Sequence, residues 1–228
     1  MARLLRRKYR RVLLDIDTQY DLVDQPSQNI SVILANSRRL IAWARVRKIP
    51  VISTALSRQR PENNVFPPGA PTDCIDGTPG QKKIRFTLLP RHIVFPAENR
   101  LDLPAELLSE FQQIIFEKRS KDPFAEPRID RLITELRTDA FVVFGMGIET
   151  AVKATVLGLL SRKKKVLLVR DAVNGCPTRQ ADLALRQMEA KGAKLVNTVG
   201  ITGKSRTALR LPPKINIIST VTPKISAG

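Results

Sequence analysis

The feature that most constrains the fold of this chain is an alternation of strand-like and helix-like segments over most of its length. Apolar runs such as RVLLDID (11–17) and AFVVFGM (140–146) are separated by segments with helical periodicity, such as 29–48 and 149–162. Strands that are apolar on both sides and separated by helices predict right-handed crossovers and a mainly parallel sheet. We therefore expect an α/β protein, a three-layer α/β/α, Rossmann-like domain with roughly six strands.

The same patterns divide the chain into segments. The other predicted strands are 51–54, 91–95, 113–117, 165–172 and 194–198, and the other predicted helices are 104–111, 126–137 and 178–191. Residues 57–82 are rich in Pro, Gly, Asn and Asp, and a loop of that length inside a domain is usually functional. We expect a basic arm over 1–10, the α/β domain over 11–200 and a basic tail over 201–228, in which 215–221 is an edge-strand candidate.

Positive charge is concentrated at the two ends of the chain. The sequence has 39 Lys and Arg against 21 Asp and Glu, a net charge of +18. Residues 1–11 contain six of these bases and no acid, and residues 201–228 contain five and no acid. Such segments bind phosphate groups with release of counterions, so nucleic acid or an acidic partner is expected there. The alternative is that the charge serves solubility or reflects a basic proteome, which the aromatic content of 5% favours.

Several classes of protein do not fit the composition. No apolar run approaches the roughly 20 residues of a membrane-spanning helix, so no membrane contact is expected. The first eleven residues lack the apolar core of a secretion signal, and we expect a cytoplasmic protein. The two cysteines, Cys74 and Cys176, form neither a disulfide framework nor a zinc ligand set.

Polar residues follow three of the predicted strands. Asp15 and Asp17 end the first strand, Lys118 follows the fourth, and residues 145–151 connect the fifth strand to a helix. Ligand sites of open α/β sheets lie outside the carboxyl ends of the strands, where a carboxylate and a lysine would pair near a helix N-terminus. The alternative is a purely structural ion pair.

Five motifs, in order along the chain, resemble those of the isochorismatase-like cysteine hydrolases, the family of nicotinamidases and N-carbamoylsarcosine amidases. They are Ile16-Asp17-Thr18-Gln19-Tyr20-Asp21-Leu22, Asp73-Cys74-Ile75-Asp76-Gly77-Thr78-Pro79-Gly80, Phe116-Glu117-Lys118 followed by Asp122-Pro123-Phe124, Gly145-Met146-Gly147-Ile148-Glu149-Thr150-Ala151-Val152, and Arg170-Asp171-Ala172. The resemblance spans roughly residues 12–200 and implies the isochorismatase fold.

The resemblance also implies roles for individual residues. Asp17 would be the acid/base carboxylate, Lys118 the cation beside it, and Ala151 occupies the position of the nucleophilic cysteine. The backbone N–H groups of Gly147 and Ala151 would form the oxyanion hole. The pocket would be lined by the 57–82 loop and by Gln19, Tyr20, Leu22, Phe124, Glu149 and Thr150.

Alanine at position 151 leaves the activity open, because a methyl group cannot attack an amide carbonyl. The alanine is an engineered replacement of cysteine, a natural loss in a pseudoenzyme kept for binding or assembly, or the mark of a reaction that needs no nucleophile. Protonation of a vinyl ether by Asp17 would be such a reaction, although the adjacent Lys118 opposes it. The expected function is a metal-independent hydrolase of a small amide or vinyl ether, with the pseudoenzyme as the alternative.

Other expectations rest on the same resemblance. Cys74, Cys176 and Thr150 are not expected to replace the nucleophile. Nicotinamidases hold a metal with Asp and His side chains, but Thr54–Arg60 and Asp73 do not supply that ligand set and the only histidine, His92, lies elsewhere. We expect no metal or other cofactor, a strained or cis peptide near Gly147–Ile148, and self-association as a dimer or tetramer.

Overall fold

In the described residues, the sheet consists of seven parallel strands, whose order explains where a ligand site forms. The computed structural model describes residues 8–24, 29–63, 65–98, 100–104, 107–174 and 179–203. The strands are β1 (Val12–Ile16), β2 (Val51–Leu56), β3 (His92–Phe95), β4 (Gln113–Lys118), β5 (Phe141–Met146), β6 (Val166–Asn174) and β7 (Lys194–Val196). They lie in the order β3-β4-β2-β1-β5-β6-β7, and every pair is parallel. The direction of winding therefore reverses beside β1, and a crevice opens at the carboxyl ends of β1 and β5.

Helices cover both faces of this sheet. They are α1 (Tyr20–Val23), α2 (Ile30–Arg47), α3 (Leu107–Glu110), α4 (Pro127–Glu135), α5 (Ala151–Ser161), α6 (Arg179–Ala190) and α7 (Thr198–Thr202). One core cluster joins α4, α5 and α6 to the sheet through residues such as Leu132, Val152 and Met188. The other joins α2 and α7 through Leu40 and Ile201. Strands β1, β2 and β5 are buried along their whole length, which explains their nearly continuous apolar sequences.

The fold class predicted from the sequence is confirmed, with differences at the edges. The sheet has seven strands where roughly six were expected. Helix α7 crosses the boundary drawn between residues 200 and 201, and Ile201 is only 6% exposed, so the first residues assigned to the tail belong to the core. Most of the tail, including the edge-strand candidate 215–221, lies outside the described residues, as do residues 1–7. None of the helices in the described part of the chain is long and apolar enough to cross a membrane.

Candidate active site

Residues from the motifs lie at the carboxyl ends of four adjacent strands. Asp17 follows β1, Thr54 lies in β2, Lys118 ends β4, and the turn after β5 leads into α5 at Ala151. Strand β2 lies between β1 and β4, so a β2 side chain is placed to contact groups from both neighbours. The structure thus brings Asp17 and Lys118 together although 101 positions separate them in the sequence.

Asp17 and Lys118 form a buried ion pair. Lys118 Nζ lies 2.7 Å from Asp17 Oδ2, and both residues are 1% exposed. Thr54 Oγ1 donates to Asp17 Oδ1 at 2.6 Å, and Lys118 also donates to the Ser120 carbonyl at 3.0 Å. Both carboxylate oxygens therefore have a donor, as a buried charge requires. The predicted hydrogen-bonding distance between Asp17 and Lys118 is confirmed.

The backbone at Asp17 turns sharply to present this carboxylate. Asp17 has a φ of 49°, in the left-handed region that aspartate and asparagine enter more readily than other non-glycine residues. Its N–H donates to the Thr54 carbonyl at 3.2 Å and lies at the same distance from Thr54 Oγ1. Thr54 thus holds both the backbone and the side chain of Asp17.

A second buried ion pair lies next to the first. Lys83 Nζ is 3.0 Å from Asp15 Oδ2, and it donates to Thr18 Oγ1 at 2.9 Å and to the Thr54 carbonyl at 3.1 Å. Thr18 and Ser53 donate to the two oxygens of Asp15. Thr54 is therefore shared by both pairs, through its hydroxyl to Asp17 and through its carbonyl to Lys83.

No motif of the sequence predicts a partner for Asp15. Two carboxylates on a strand buried on both faces nevertheless require two cations, which indicates that Lys118 alone is not sufficient. Lys83 belongs to the loop that follows Gly80, and nothing local in the sequence shows that this loop folds back onto β1.

The turn between β5 and α5 depends on two glycines. Gly145 has a φ of 141°, and a Cβ atom there would lie 2.1 Å from the Ile16 carbonyl oxygen, so only glycine fits beside β1. Gly147 has a φ of 74°. The peptide bonds of the described residues are all trans, so the cis alternative expected near Gly147–Ile148 is wrong, and positive φ angles at glycine shape the turn instead.

The backbone of this turn is arranged around the Gly147 carbonyl. The N–H groups of Thr150 and Val152 both donate to that carbonyl at 3.0 Å. Among the hydrogen bonds of the described turn residues, neither the Gly147 nor the Ala151 N–H has a backbone acceptor. These are the two donors that the family resemblance assigned to an oxyanion hole.

The expected pocket residues occupy different environments. Tyr20 is 43% exposed and Thr150 is exposed, whereas Leu22 is partly buried. Glu149 has one buried carboxylate oxygen, Oε1, that finds no hydrogen-bond partner in the described part of the chain. Phe124 packs instead against α5, where the Arg162 guanidinium lies 3.9 Å from its ring centroid.

Gln19 was expected to line the pocket, but its side chain is used in structural hydrogen bonds. It is fully buried, and its amide donates to the carbonyls of Leu56 and Gln81 while accepting from the Leu56 N–H. These bonds attach the 57–82 loop to the ends of β1 and β2. Gln19 therefore positions the wall of the site and has no exposed surface for a ligand.

Cys74 lies close to the acidic residues of the site but is not a reactive thiol. It is fully buried, and its N–H donates to Asp21 Oδ2 at 2.6 Å. Burial is the largest cause that raises the pKa of the Cys74 thiol, and together with the carboxylates of Asp73, Asp21 and Asp17, and against a smaller lowering by Arg58, it brings that pKa to about 12. Such a thiol is protonated at neutral pH and does not act as a nucleophile. Cys176 lies outside the described residues.

We expect Cys74 to resist alkylation in the folded protein. In a Cys176→Ser variant, Cys74 is the only thiol, and at pH 8 its thiolate fraction is on the order of 10⁻⁴. Iodoacetamide should therefore modify it only after denaturation, as followed by mass spectrometry. Stoichiometric labelling of the folded variant within minutes would contradict this assignment of Cys74.

The region that holds the metal in nicotinamidases by family resemblance contains arginine here. Arg58 Nε lies 3.4 Å from Asp73 Oδ1 and donates to the Asp73 carbonyl at 3.1 Å. Arg119 pairs with Asp76 at 3.2 Å. Over the described ranges no three His, Cys, Asp or Glu side chains converge. A guanidinium already neutralises the carboxylate a cation would need, so these residues do not fit a metal site. His92 begins β3, and its Nδ1 lies 2.6 Å from the Leu89 carbonyl oxygen.

Solved structures with the same fold have several activities. The MAR1 ribonuclease of Caenorhabditis elegans is 21% identical, with a TM-score of 0.58 and coverage of 86% of this chain and 82% of that one. A pyrazinamidase of Pyrococcus horikoshii in complex with zinc is 20% identical, with a TM-score of 0.56 and coverage of 82% and 99%. The N-carbamoylsarcosine amidase of Thermoplasma acidophilum is 16% identical, with a TM-score of 0.56 and coverage of 83% and 96%. At these identities the likeness shows the fold alone.

The sequence comparison gives the family. No curated protein matches this chain. The model of the isochorismatase domain matches residues 11–199, which include β1, the two buried ion pairs and the turn into α5. The chain therefore belongs to the isochorismatase family.

Proposed function

We propose that this chain binds a small amide or related carbonyl compound at the Asp17–Lys118 site without hydrolysing it through a thiol. The observation that carries the proposal is the combination of an intact, buried Asp17–Lys118 pair with a methyl group at Ala151. The site retains its charges and its turn, while the atom that would form the covalent bond is missing. This holds whether the alanine is engineered or natural.

The reaction that the family resemblance implies for such a site, with cysteine at position 151, is the metal-independent hydrolysis of a small amide. A thiol at position 151 would pass its proton to Asp17 and attack the carbonyl carbon, and the C–N bond would break as Asp17 returns that proton to the leaving amine. Water would then cleave the thioester to the free acid and restore the thiol. The developing oxyanion would be bound by the N–H groups of Gly147 and Ala151. The Arg58–Asp73 contact supports metal independence, because it neutralises a carboxylate that a metal would need.

Glu149 supports a ligand that carries an N–H group. Its buried Oε1 has no partner among the described residues and lies in the same turn as Ala151. A buried carboxylate oxygen without a donor is unfavourable, so a ligand N–H that satisfies it gains binding energy.

The alternative of vinyl ether hydrolysis is less well supported. It requires Asp17 to carry a proton and deliver it to the substrate. The Lys118 ammonium at 2.7 Å and the Thr54 hydroxyl at 2.6 Å both stabilise the charged carboxylate. The site therefore favours the form of Asp17 that cannot act as an acid.

The proposal predicts binding without turnover. Isothermal calorimetry with nicotinamide, pyrazinamide and N-carbamoylsarcosine should show saturable binding of at least one of them, and no ammonia should be released. Asp17→Asn should reduce that binding, since it removes the charge beside Lys118. Ammonia release by the unaltered chain, or an absence of binding across primary amides, would overturn the proposal.

A further inference from the structure

A basic cavity lies at the amino ends of β1 and β2, at the opposite end of these strands from the candidate active site. It has a volume of about 430 Å³ and is formed where the residues before β1 meet the end of α2 and the start of β2. Its cationic lining consists of Lys8, Arg10, Arg11, Arg47 and Lys48, and none of the described residues that line it is acidic. Strand β1 runs from this end to Asp17, so the two sites are separated by about 16 Å.

The cavity combines these charges with an aromatic ring. Trp43, the only tryptophan in the chain, lines it and is partly buried. The Arg11 guanidinium lies over the Trp43 ring, 5.8 Å from its centroid. A tryptophan ring and an arginine plane in contact form a surface on which a nucleic-acid base stacks.

Much of this positive charge is not neutralised within the described chain. Lys8 pairs with Asp139 at 2.6 Å, but both side chains are more than half exposed, so the pair is screened by solvent. The residues Arg10, Arg47 and Lys48 are exposed, and no ion pair to them occurs in the described ranges. The pKa of Asp139 is below its usual value, first because Lys8 donates to it and further because of the charges of Lys8, Lys165 and Arg10.

We propose that this cavity, defined by Arg10, Arg11, Trp43, Arg47 and Lys48, binds single-stranded nucleic acid. The cations contact successive phosphates and one base enters the cavity against Trp43. A volume of about 430 Å³ suits one nucleotide and is too small for a duplex. A flat membrane surface would not use a concave site, which favours a polynucleotide over anionic lipid.

The structure places basic residues from two separate parts of the sequence in one cavity. Three bases of the arm, Lys8, Arg10 and Arg11, are far in the sequence from the basic end of α2, and the fold brings the two groups together around Trp43. Helix α2 thus adds the Trp43 ring to a cavity that Tyr9 of the basic arm also lines.

Trp43 fluorescence tests the proposal directly, because every tryptophan signal comes from this cavity. The full chain is titrated with 12-nucleotide oligo(U) and oligo(dT), and in parallel with uridine monophosphate and with vesicles of phosphatidylserine and phosphatidylcholine. We expect saturable quenching by the oligonucleotides and weaker quenching by the mononucleotide. Quenching by the vesicles but not by the oligonucleotides would overturn the proposal in favour of a lipid surface.

Two double variants that each remove two positive charges distinguish binding at this cavity from binding to any basic surface of the protein. Arg10→Gln/Arg47→Gln removes two cations from the cavity, and Arg186→Gln/Lys191→Gln removes two exposed cations of α6 and its end, on the other face of the sheet. The first variant should weaken oligo(U) binding roughly 25-fold at 0.1 M salt and lower the salt slope by about 1.4, at roughly 0.7 per phosphate contact. The second should change affinity less than threefold. Equal losses in the two variants would overturn the proposal without affecting the ligand proposed for Asp17 and Lys118.

Discussion

Replacing Lys118 by methionine is expected to lower the free energy of unfolding by about 3–5 kcal/mol, because it leaves the Asp17 carboxylate buried without its cation. Asp17 is 1% exposed, so in the free protein solvent compensates little for loss of the ammonium group that lies 2.7 Å away. The Thr54 hydroxyl would remain as a donor, but one neutral hydrogen bond does not compensate a buried charge. Chemical denaturation followed by circular dichroism measures the loss.

Two controls test whether the loss of stability comes from the unpaired charge of Asp17 or from the altered shape of the side chain at position 118. In the double variant Asp17→Asn/Lys118→Met both charges are absent, and most of the lost stability should return. Lys121→Met changes an exposed lysine nearby and should alter stability by less than about 0.5 kcal/mol. If the double variant were as unstable as Lys118→Met, the ion pair would not be the cause.

Much of the fold could be predicted because its elements carry local signals. The two-sided apolar strands and the helices between them are visible in the sequence, and Gly145 and Gly147 mark the turn before α5. The pairing of Asp17 with Lys118 followed from the rule that sites form at the carboxyl ends of strands, together with the family motifs.

The parts that could not be predicted depend on contacts between distant segments. Lys83 reaches Asp15 across 68 residues of sequence only because the loop after Gly80 folds onto β1. The Gln19 side chain similarly donates to the carbonyls of Leu56 and Gln81, and no motif predicts these hydrogen bonds. The basic cavity requires α2 to end beside the residues that precede β1. Self-association as a dimer or tetramer stays a prediction.

Introducing a thiol by Ala151→Cys is expected to raise amide hydrolysis by on the order of 10³-fold or more over the unaltered chain. Position 151 begins α5, where the positive end of the helix dipole favours a thiolate. The Asp17 carboxylate, paired with Lys118, is the group proposed to accept the thiol proton. Ammonia release from the amide that binds most tightly measures the gain.

The buried groups around position 151 supply the controls for this gain. Ala151→Ser offers a hydroxyl that is a far weaker nucleophile, and it should stay close to the parent rate. Adding Asp17→Asn to Ala151→Cys removes the proton acceptor and should reverse the gain, while Thr54 can still hold the side chain. A double variant as active as Ala151→Cys would exclude Asp17 as the base. A thiol that is alkylated rapidly but releases no ammonia would show that the site has lost more than its nucleophile.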